Sequence, residues 1–226
     1  MNADAPAYDM KQLRMKLLRL SALAEENTRR AVLALRGRDR ATADVVIANE
    51  AEINALEIEI EQDCVRLLSN GINERRDVQN IVSVLRINTD LERIGDLAAN
   101  VARHVADVSQ CEQALLPAQL LRMADCALAM LHQALDAFVD LDAVSAREVC
   151  GLDDEVDELN RVVHSLVRDR IVASPQLTDN LLSVLGAARQ LERIADCATN
   201  IAEDVLYLVS GSVFRHSKTD SHATDA

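Results

Sequence analysis

Apolar residues near the end of the chain recur at helical spacing: Leu181, Val184, Leu185, Ala188, Leu191, Ala195, Ala198, Ala202, Val205 and Val209. Steps of three and four keep returning to one side of a 3.6-residue helix, so they predict one long helix with a continuous apolar stripe. Punctuation residues divide the rest of the chain. Gly37 suits the left-handed residue that closes a helix, and Asp39 suits the cap of the next. Asn70-Gly71 ends a second segment and Asn73 suits the opening of a third. Residues 110–117 separate two halves, with Pro117 tolerated in a first helical turn. Asp140 or Asp142 suits the start of a fifth helix, Ser174-Pro175 with Thr178 a sixth, and Gly211 its end. The predicted helices run over 9–36, 39–69, 74–109, 117–139, 142–172 and 177–209.

A helix of the last length extends ~50 Å. It stays in solution only by packing its stripe against neighbours, so the pattern predicts an all-α chain of two tandem, antiparallel three-helix bundles. The first bundle is expected over 10–110 and the second over 115–211. Residues 1–9 are expected as a tail, and so is the Ser-, Thr-, His- and Asp-rich segment 212–226, which lacks periodicity. Composition agrees: Leu, Val, Ile and Ala dominate, there is no Trp, and six Gly and three Pro leave few places to turn. A sandwich or an α/β fold would need more of both punctuation and aromatic residues.

Charge narrows the partners. With 24 basic and 37 acidic side chains, the formal net charge of −13 repels phosphate backbones, and no basic patch with interleaved aromatics offsets it. Nucleic acid is excluded on that ground, whereas cations or a basic protein surface suit the chain. The five cysteines are odd in number and widely spaced without C-x-x-C, as in a reduced, cytoplasmic protein. No apolar run approaches the ~18 residues of a membrane span. Lys16 and Arg19 interrupt Met15–Leu23, so no signal-peptide core is expected. The basic start, Lys11, Arg14, Lys16 and Arg19, reads as a solvated helix face rather than a membrane-binding one.

One segment occurs twice. Residues 90–102 and 190–202 share eight of thirteen positions, including Glu92, Asp96 and Asn100 in the first copy and Glu192, Asp196 and Asn200 in the second. A second match lies at an offset of 103, where Glu50 and Asn54 correspond to Asp153 and Asp157. Such repetition means two similar structural units. Acids scattered on a helix usually mark only a solvated face, and a lone E-x-x-x-D carries little. Recurrence changes that weight, because surface charges drift freely between duplicated halves.

Residues i and i+4 project from the same side of a helix, roughly 6 Å apart. Glu92 with Asp96, and Glu192 with Asp196, therefore aim paired carboxylates at one region. Glu50 with Asn54, and Asp153 with Asp157, are placed to add oxygens from an adjoining helix. Oxygen-only donors suit hard or borderline cations such as Mg, Ca, Mn or iron, and Zn is a further candidate. Asn100 and Asn200 are placed to add carbonyl oxygens or to hydrogen-bond a ligating carboxylate from behind. No E-x-x-H or H-E-x-x-H occurs, so the di-iron recipe with nitrogen ligands is absent. His132 and His164 read as ordinary helix residues. No glycine-rich phosphate loop or nucleophile elbow is present. A carboxylate-bridged metalloenzyme and a metal-free helical scaffold remain the two alternative readings.

The segments L-E-R-I-[GA]-D-x-A-x-N at 91–100 and 191–200 resemble the hallmark motifs of the PhoU family. The resemblance takes in Glu57, Cys64-Val65-Arg66, Leu135-Asp136-Ala137-Phe138 and Phe214-Arg215-His216, and spans roughly residues 10–216. It implies two PhoU repeats of three helices related by a pseudo-twofold, frequent homodimerisation, and E(D)-x-x-x-D motifs that hold multinuclear metal clusters, iron in some members. It also implies a cytoplasmic, non-catalytic regulator that reaches the membrane only through partners. Those partners are the ATPase subunit of the phosphate ABC transporter and a PhoR-type sensor histidine kinase. In phosphate excess such a regulator restrains uptake and the starvation response. Two positions depart from the pattern: Asn54 replaces an acid in the first repeat, and Asn160 stands where the first repeat has Glu57. The second repeat is thus expected to be the better metal site.

Overall fold

The computed structural model describes residues 5–72, 74–110 and 116–211. Six helices account for nearly all of them: α1 (Ala5–Gly37), α2 (Arg40–Ser69), α3 (Arg75–Ser109), α4 (Ala118–Asp140), α5 (Ala143–Ala173) and α6 (Thr178–Ser210), with a 3₁₀ turn at Pro175–Leu177 before α6. Helices α1–α3 pack on one another as one bundle and α4–α6 as a second, while α3 and α6 join the two along their lengths. A smaller α1–α4 contact closes one side, and α2 and α5 stay apart on the other.

Local sequence sets the corners. Asp39 and Asp142 cap α2 and α5 with the same backbone angles, φ −89° and ψ 102°. In each, one carboxylate oxygen accepts from the backbone N–H two residues on (3.0 Å from Ala41, 2.8 Å from Val144). The other oxygen accepts from a hydroxyl, that of Thr42 or Ser145. These bonds satisfy donors that every helix start leaves open, and they hold both carboxyls below the usual range. The left-handed residue before each cap is Arg38 or Leu141, both at φ 53°. Gly37 is therefore the last helical residue rather than the left-handed one, a one-residue correction to the expected corner. Helix α1 also begins at Ala5, inside the stretch expected as a tail. Pro6 is no obstacle there, since the first turn needs no intrahelical N–H. Thr178 opens α6 and Gly211 (φ +70°) ends it, as the sequence predicts. Asn73, Phe214, Arg215 and His216 lie outside the described residues.

The stripe read from α6 faces the core. Leu181, Val184, Ala188, Leu191, Ala195, Ala198, Ala202 and Val205 are buried, Leu185 is partly covered, and only Val209, at the helix end, is exposed. Burying each leucine of this kind contributes about 1.5–3 kcal/mol. Small residues let the helices approach. A Cβ on Gly95 would lie 2.9 Å from Ile53 of α2, so Gly95 makes room for that isoleucine. The corresponding pair in the second repeat is Ala195 and Val156. One methyl has moved from one partner to the other, which keeps the packed volume nearly constant.

Facing partners on α3 and α6 run in opposite directions. Asp107 meets Asn180 and Ser183, His104 lies on Gly186, Asp90 meets Asn200, and Arg86 meets Asp204. The α1–α4 contact is antiparallel too: Arg14 donates to the Val139 carbonyl, Glu25 meets His132, and Arg36 meets Asp125. An approximate twofold across the α3–α6 seam therefore relates the two repeats, and the two duplicated motifs lie side by side near it.

Candidate metal centre and the seam between the repeats

In the first repeat, Glu50, Asn54 and Glu57 follow one another along the α3-facing edge of α2, at helical spacing. Glu92, Asp96 and Asn100 do the same on α3. All six are partly buried, because each sits one step outside the apolar stripe of its helix. Burial, followed by the charges of Asp96, Glu57 and Glu50, raises the Glu92 carboxyl above its usual range. Burial and the Glu50 charge raise Asp96, opposed by the Arg103 guanidinium. Glu57 is raised by burial and by Glu61, and its carboxylate accepts from the buried Asn88 amide at 3.3 Å. Four carboxylates thus share one partly desolvated region, and their neighbours' charges destabilise the charged forms of Glu92 and Asp96.

Two oxygens in that region are left without partners. Asn54 Oδ1 and Asp96 Oδ1 are buried and accept no hydrogen bond. Buried polar atoms are normally satisfied, so an orphaned pair facing a carboxylate cluster fits an oxygen-liganded cation. In their present positions, no three His, Cys, Asp or Glu side chains among the described residues converge to hold a metal ion. One reason is visible. Glu50 is turned to Arg103, which donates to Glu50 Oε2 and to Asn100 Oδ1, each at 2.6 Å.

The second repeat repeats the geometry with different neighbours. Asp153, Asp157 and Asn160 lie on α5, and Glu192, Asp196 and Asn200 on α6. Asp196 keeps a solvent-exposed edge, yet burial of the remainder and the charges of Glu192 and Asp157 raise its carboxyl. Arg93 of the first repeat and Arg193 of the second both pull the other way. Asn160 Oδ1 is another buried oxygen without a partner. Asn200 turns from the carboxylate pair towards the seam, donating to Asp90 Oδ1 at 3.3 Å.

That seam holds polar residues the repeat comparison missed. Asp90 is pushed up to about 6 by burial; the Asn200 hydrogen bond lowers it and the Asp204 charge raises it. Asp204, 8 % exposed, accepts from Arg86 at 3.2 Å, and Arg86 lies over the Tyr207 ring at 5.6 Å. The approximate twofold carries the Arg86–Asp204 pair onto Gly186 and His104. There an added Cβ on Gly186 would fall 2.4 Å from the imidazole, and burial lowers the His104 pKa. Of these two equivalent places in the seam, one is ionic and the other is packed. Because Arg86, Asp90 and Asp204 have no like residue one hundred positions away, a search for shared residues passes over them.

Other sequence candidates are accounted for. Lys16 pairs with Glu59 and Asp63 (3.1 and 2.9 Å) and Arg19 with Glu52 (2.8 Å), so these two residues of the basic start brace α1 against α2. His132 bridges Glu25 and Asp136 (2.8 and 3.5 Å). Burial pushes the Cys64 and Cys197 thiols up to about 12, and raises Cys126 and Cys150 as well. None of these four is held as a reactive thiolate. No helix among the described residues is long and apolar enough to cross a membrane.

Known proteins place this architecture. The PhoU domain profile matches residues 17–105 and 120–205, one match per bundle. The chain belongs to the PhoU family. It is similar to a phosphate-specific transport system accessory protein PhoU homolog of Burkholderia sp, 33% identical over 224 residues that cover 96% of this chain and 94% of that one. It is also similar to the phosphate-specific transport system accessory protein PhoU of Escherichia coli (strain K12), 28% identical over 92% of this chain and 86% of that one. The crystal structure of PhoU from Pseudomonas aeruginosa superposes with a TM-score of 0.86 at 32% identity, over 91% of this chain and 99% of that one. That of the phosphate transport system regulatory protein PhoU from Streptococcus pneumoniae gives 0.82 at 29%, over 93% and 99%. The PhoU fold of six helices in two repeats is thereby established for this chain, with the duplicated carboxylates on the α2–α3 and α5–α6 edges.

Proposed function

We propose that this chain is a non-catalytic accessory regulator of phosphate-specific transport, cytoplasmic and homodimeric, that restrains phosphate uptake and the starvation response. It does so as an adaptor between the ATPase subunit of the phosphate ABC transporter and a PhoR-type sensor histidine kinase. The observation that carries this reading is the match of a PhoU domain to each bundle, together with relatives named as phosphate-transport accessory proteins over almost the whole chain. Long stiff helices suit the role, because they offer two extended faces to two partners at once.

Each repeat would hold an oxygen-liganded cation. Glu50, Asn54, Glu92 and Asp96 would hold it in the first, with Glu57 alongside, and Asp153, Asp157, Glu192 and Asp196 in the second. Asn100 and Asn200 stand at the margins. A cation at either place neutralises carboxylates among which Glu57, Glu92 and Asp96 in the first repeat and Asp196 in the second are held above their usual range, and so links occupancy to bundle stability.

Affinity capture of the chain from phosphate-replete cells of its own organism tests the adaptor role. The transporter ATPase and a sensor histidine kinase are expected in the bound fraction, at levels that fall after phosphate starvation. Recovery of neither, with the bait folded and expressed, would remove the adaptor reading.

A further inference from the structure

We infer that Arg103 is a tethered counter-cation that occupies the first repeat's carboxylate site and must be displaced before a metal ion binds there, so that the two repeats fill at different metal concentrations. The inference rests on the proposed cation sites and assigns their order of filling.

Three observations carry it. Arg103 reaches from α3 to α2 and donates to Glu50 Oε2 and Asn100 Oδ1, both at 2.6 Å. Its charge also acts on Asp96 against the repulsion of Glu50. One side chain therefore engages two site residues and shields a third. Meanwhile Asn54 Oδ1 and Asp96 Oδ1 stay buried without partners, so the guanidinium satisfies the rim of the site and leaves its inner oxygens open. A planar, singly charged group on a long stem cannot reach all of them, whereas a small divalent ion takes six or more oxygens at short range.

The repeat comparison supplies the contrast. The position one hundred residues on is Glu203. Burial raises the Cys150 thiol, and the charges of Glu203 and Asp153 add to it, which places Glu203 at the α5–α6 edge beside the carboxylates of the second repeat. The guanidinium that joins Glu50 to Asn100 in the first repeat thus has an acidic rather than a basic counterpart in the second. The second repeat therefore lacks this tethered side chain for a metal ion to displace, although Arg93 and Arg193 act on Asp196 there.

Displacement has a route. The Arg103 side chain is about half exposed (47%). It borders a shallow groove of about 170 Å³ lined also by Arg40, Asp44 and Ala106. Asp44 offers the released guanidinium a carboxylate to face, so freeing Glu50 does not strand the arginine in an apolar setting. A partly exposed ion pair is weak on its own, and a divalent cation with several oxygen ligands outcompetes it.

Chelator-stripped protein titrated with Mn²⁺ by calorimetry tests the assignment, with helical content checked by circular dichroism. The wild type is expected to show a tight step and a step at least tenfold weaker. In an E192Q/D196N background, which leaves only the first site, Arg103→Gln is expected to tighten Mn²⁺ binding at least tenfold. Arg103→Lys, which keeps the charge but not the fork, should fall between. Glu203→Arg in the otherwise native chain is expected to weaken the tight step by a similar factor. Equal first-site affinities for the arginine and glutamine forms would overturn the assignment while leaving the cation sites standing. Failure of both the wild type and Arg103→Gln to take up Mn²⁺ would overturn the cation sites and the assignment together.

Discussion

Changing Glu192 and Asp196 together to Gln and Asn is expected to abolish cation binding at the second repeat, while making the metal-free protein more stable rather than less. The first half follows from donor chemistry. The pair supplies two of the four carboxylates proposed to hold the cation in the second repeat, and neutral amides are far weaker ligands for hard cations. The second half follows from the electrostatics of the empty site. Burial, then Glu192 and Asp157, raise the Asp196 carboxyl, so its charged form costs stability at neutral pH and its removal relieves that cost. A purely structural role for the pair predicts the opposite sign, because removing useful ion pairs destabilises. Elemental analysis of protein purified without tag or chelator reads the first effect, and urea unfolding of stripped protein reads the second. Unchanged metal content, or a lowered unfolding midpoint in the stripped variant, would contradict the site as described.

The second large effect lies in the seam. Asp90, raised to about 6 from a usual 3.8, binds its proton more tightly when folded than when unfolded. Between those two values the native state carries more protons than the unfolded one, so stability falls as pH rises through about 4 to 6 and stays lower above. That difference corresponds to about 3 kcal/mol in the absence of screening; partial solvent contact reduces the expectation to about 1–2 kcal/mol. Asp90→Asn keeps an oxygen to accept from Asn200 and removes the charge that Asp204 repels. It is expected to raise stability at pH 7.5 by that amount and to leave the protein unaffected at pH 4. Urea midpoints of wild type and variant at several pH values should therefore diverge across that window. Parallel curves, or a variant that is weaker at pH 7.5, would show that burial does not hold Asp90 in this way.

The parts of this molecule that were legible in the sequence are those governed by local rules or by repetition. Asp39, Asp142, Thr178 and Gly211 punctuate helices through bonds within a few residues of themselves, and the α6 stripe faces where its period says it must. The duplicated carboxylates were visible because two copies kept them. What stayed hidden depends on how the copies meet. The antiparallel seam brings Arg86 to Asp204, 118 residues apart, a relation that exists only once α3 and α6 are set against each other. Arg103 was invisible for a related reason. Its partner Glu50 is a motif residue, but the arginine is not repeated, and attention to shared positions passes over a place where the repeats carry opposite charges. Gly37 shows the limit at the smallest scale: a glycine suggests a left-handed turn, yet the chain makes that turn one residue later, at Arg38.

Regulation of phosphate supply is the central claim, and the phenotype of cells lacking this chain tests it most directly. Alkaline phosphatase activity and phosphate uptake would be measured in excess phosphate, in a strain with the gene deleted and no second copy. Both are expected to be high in the deletion and to return to the repressed level when the wild-type chain is supplied. A deletion strain that stays fully repressed for both would contradict the assignment.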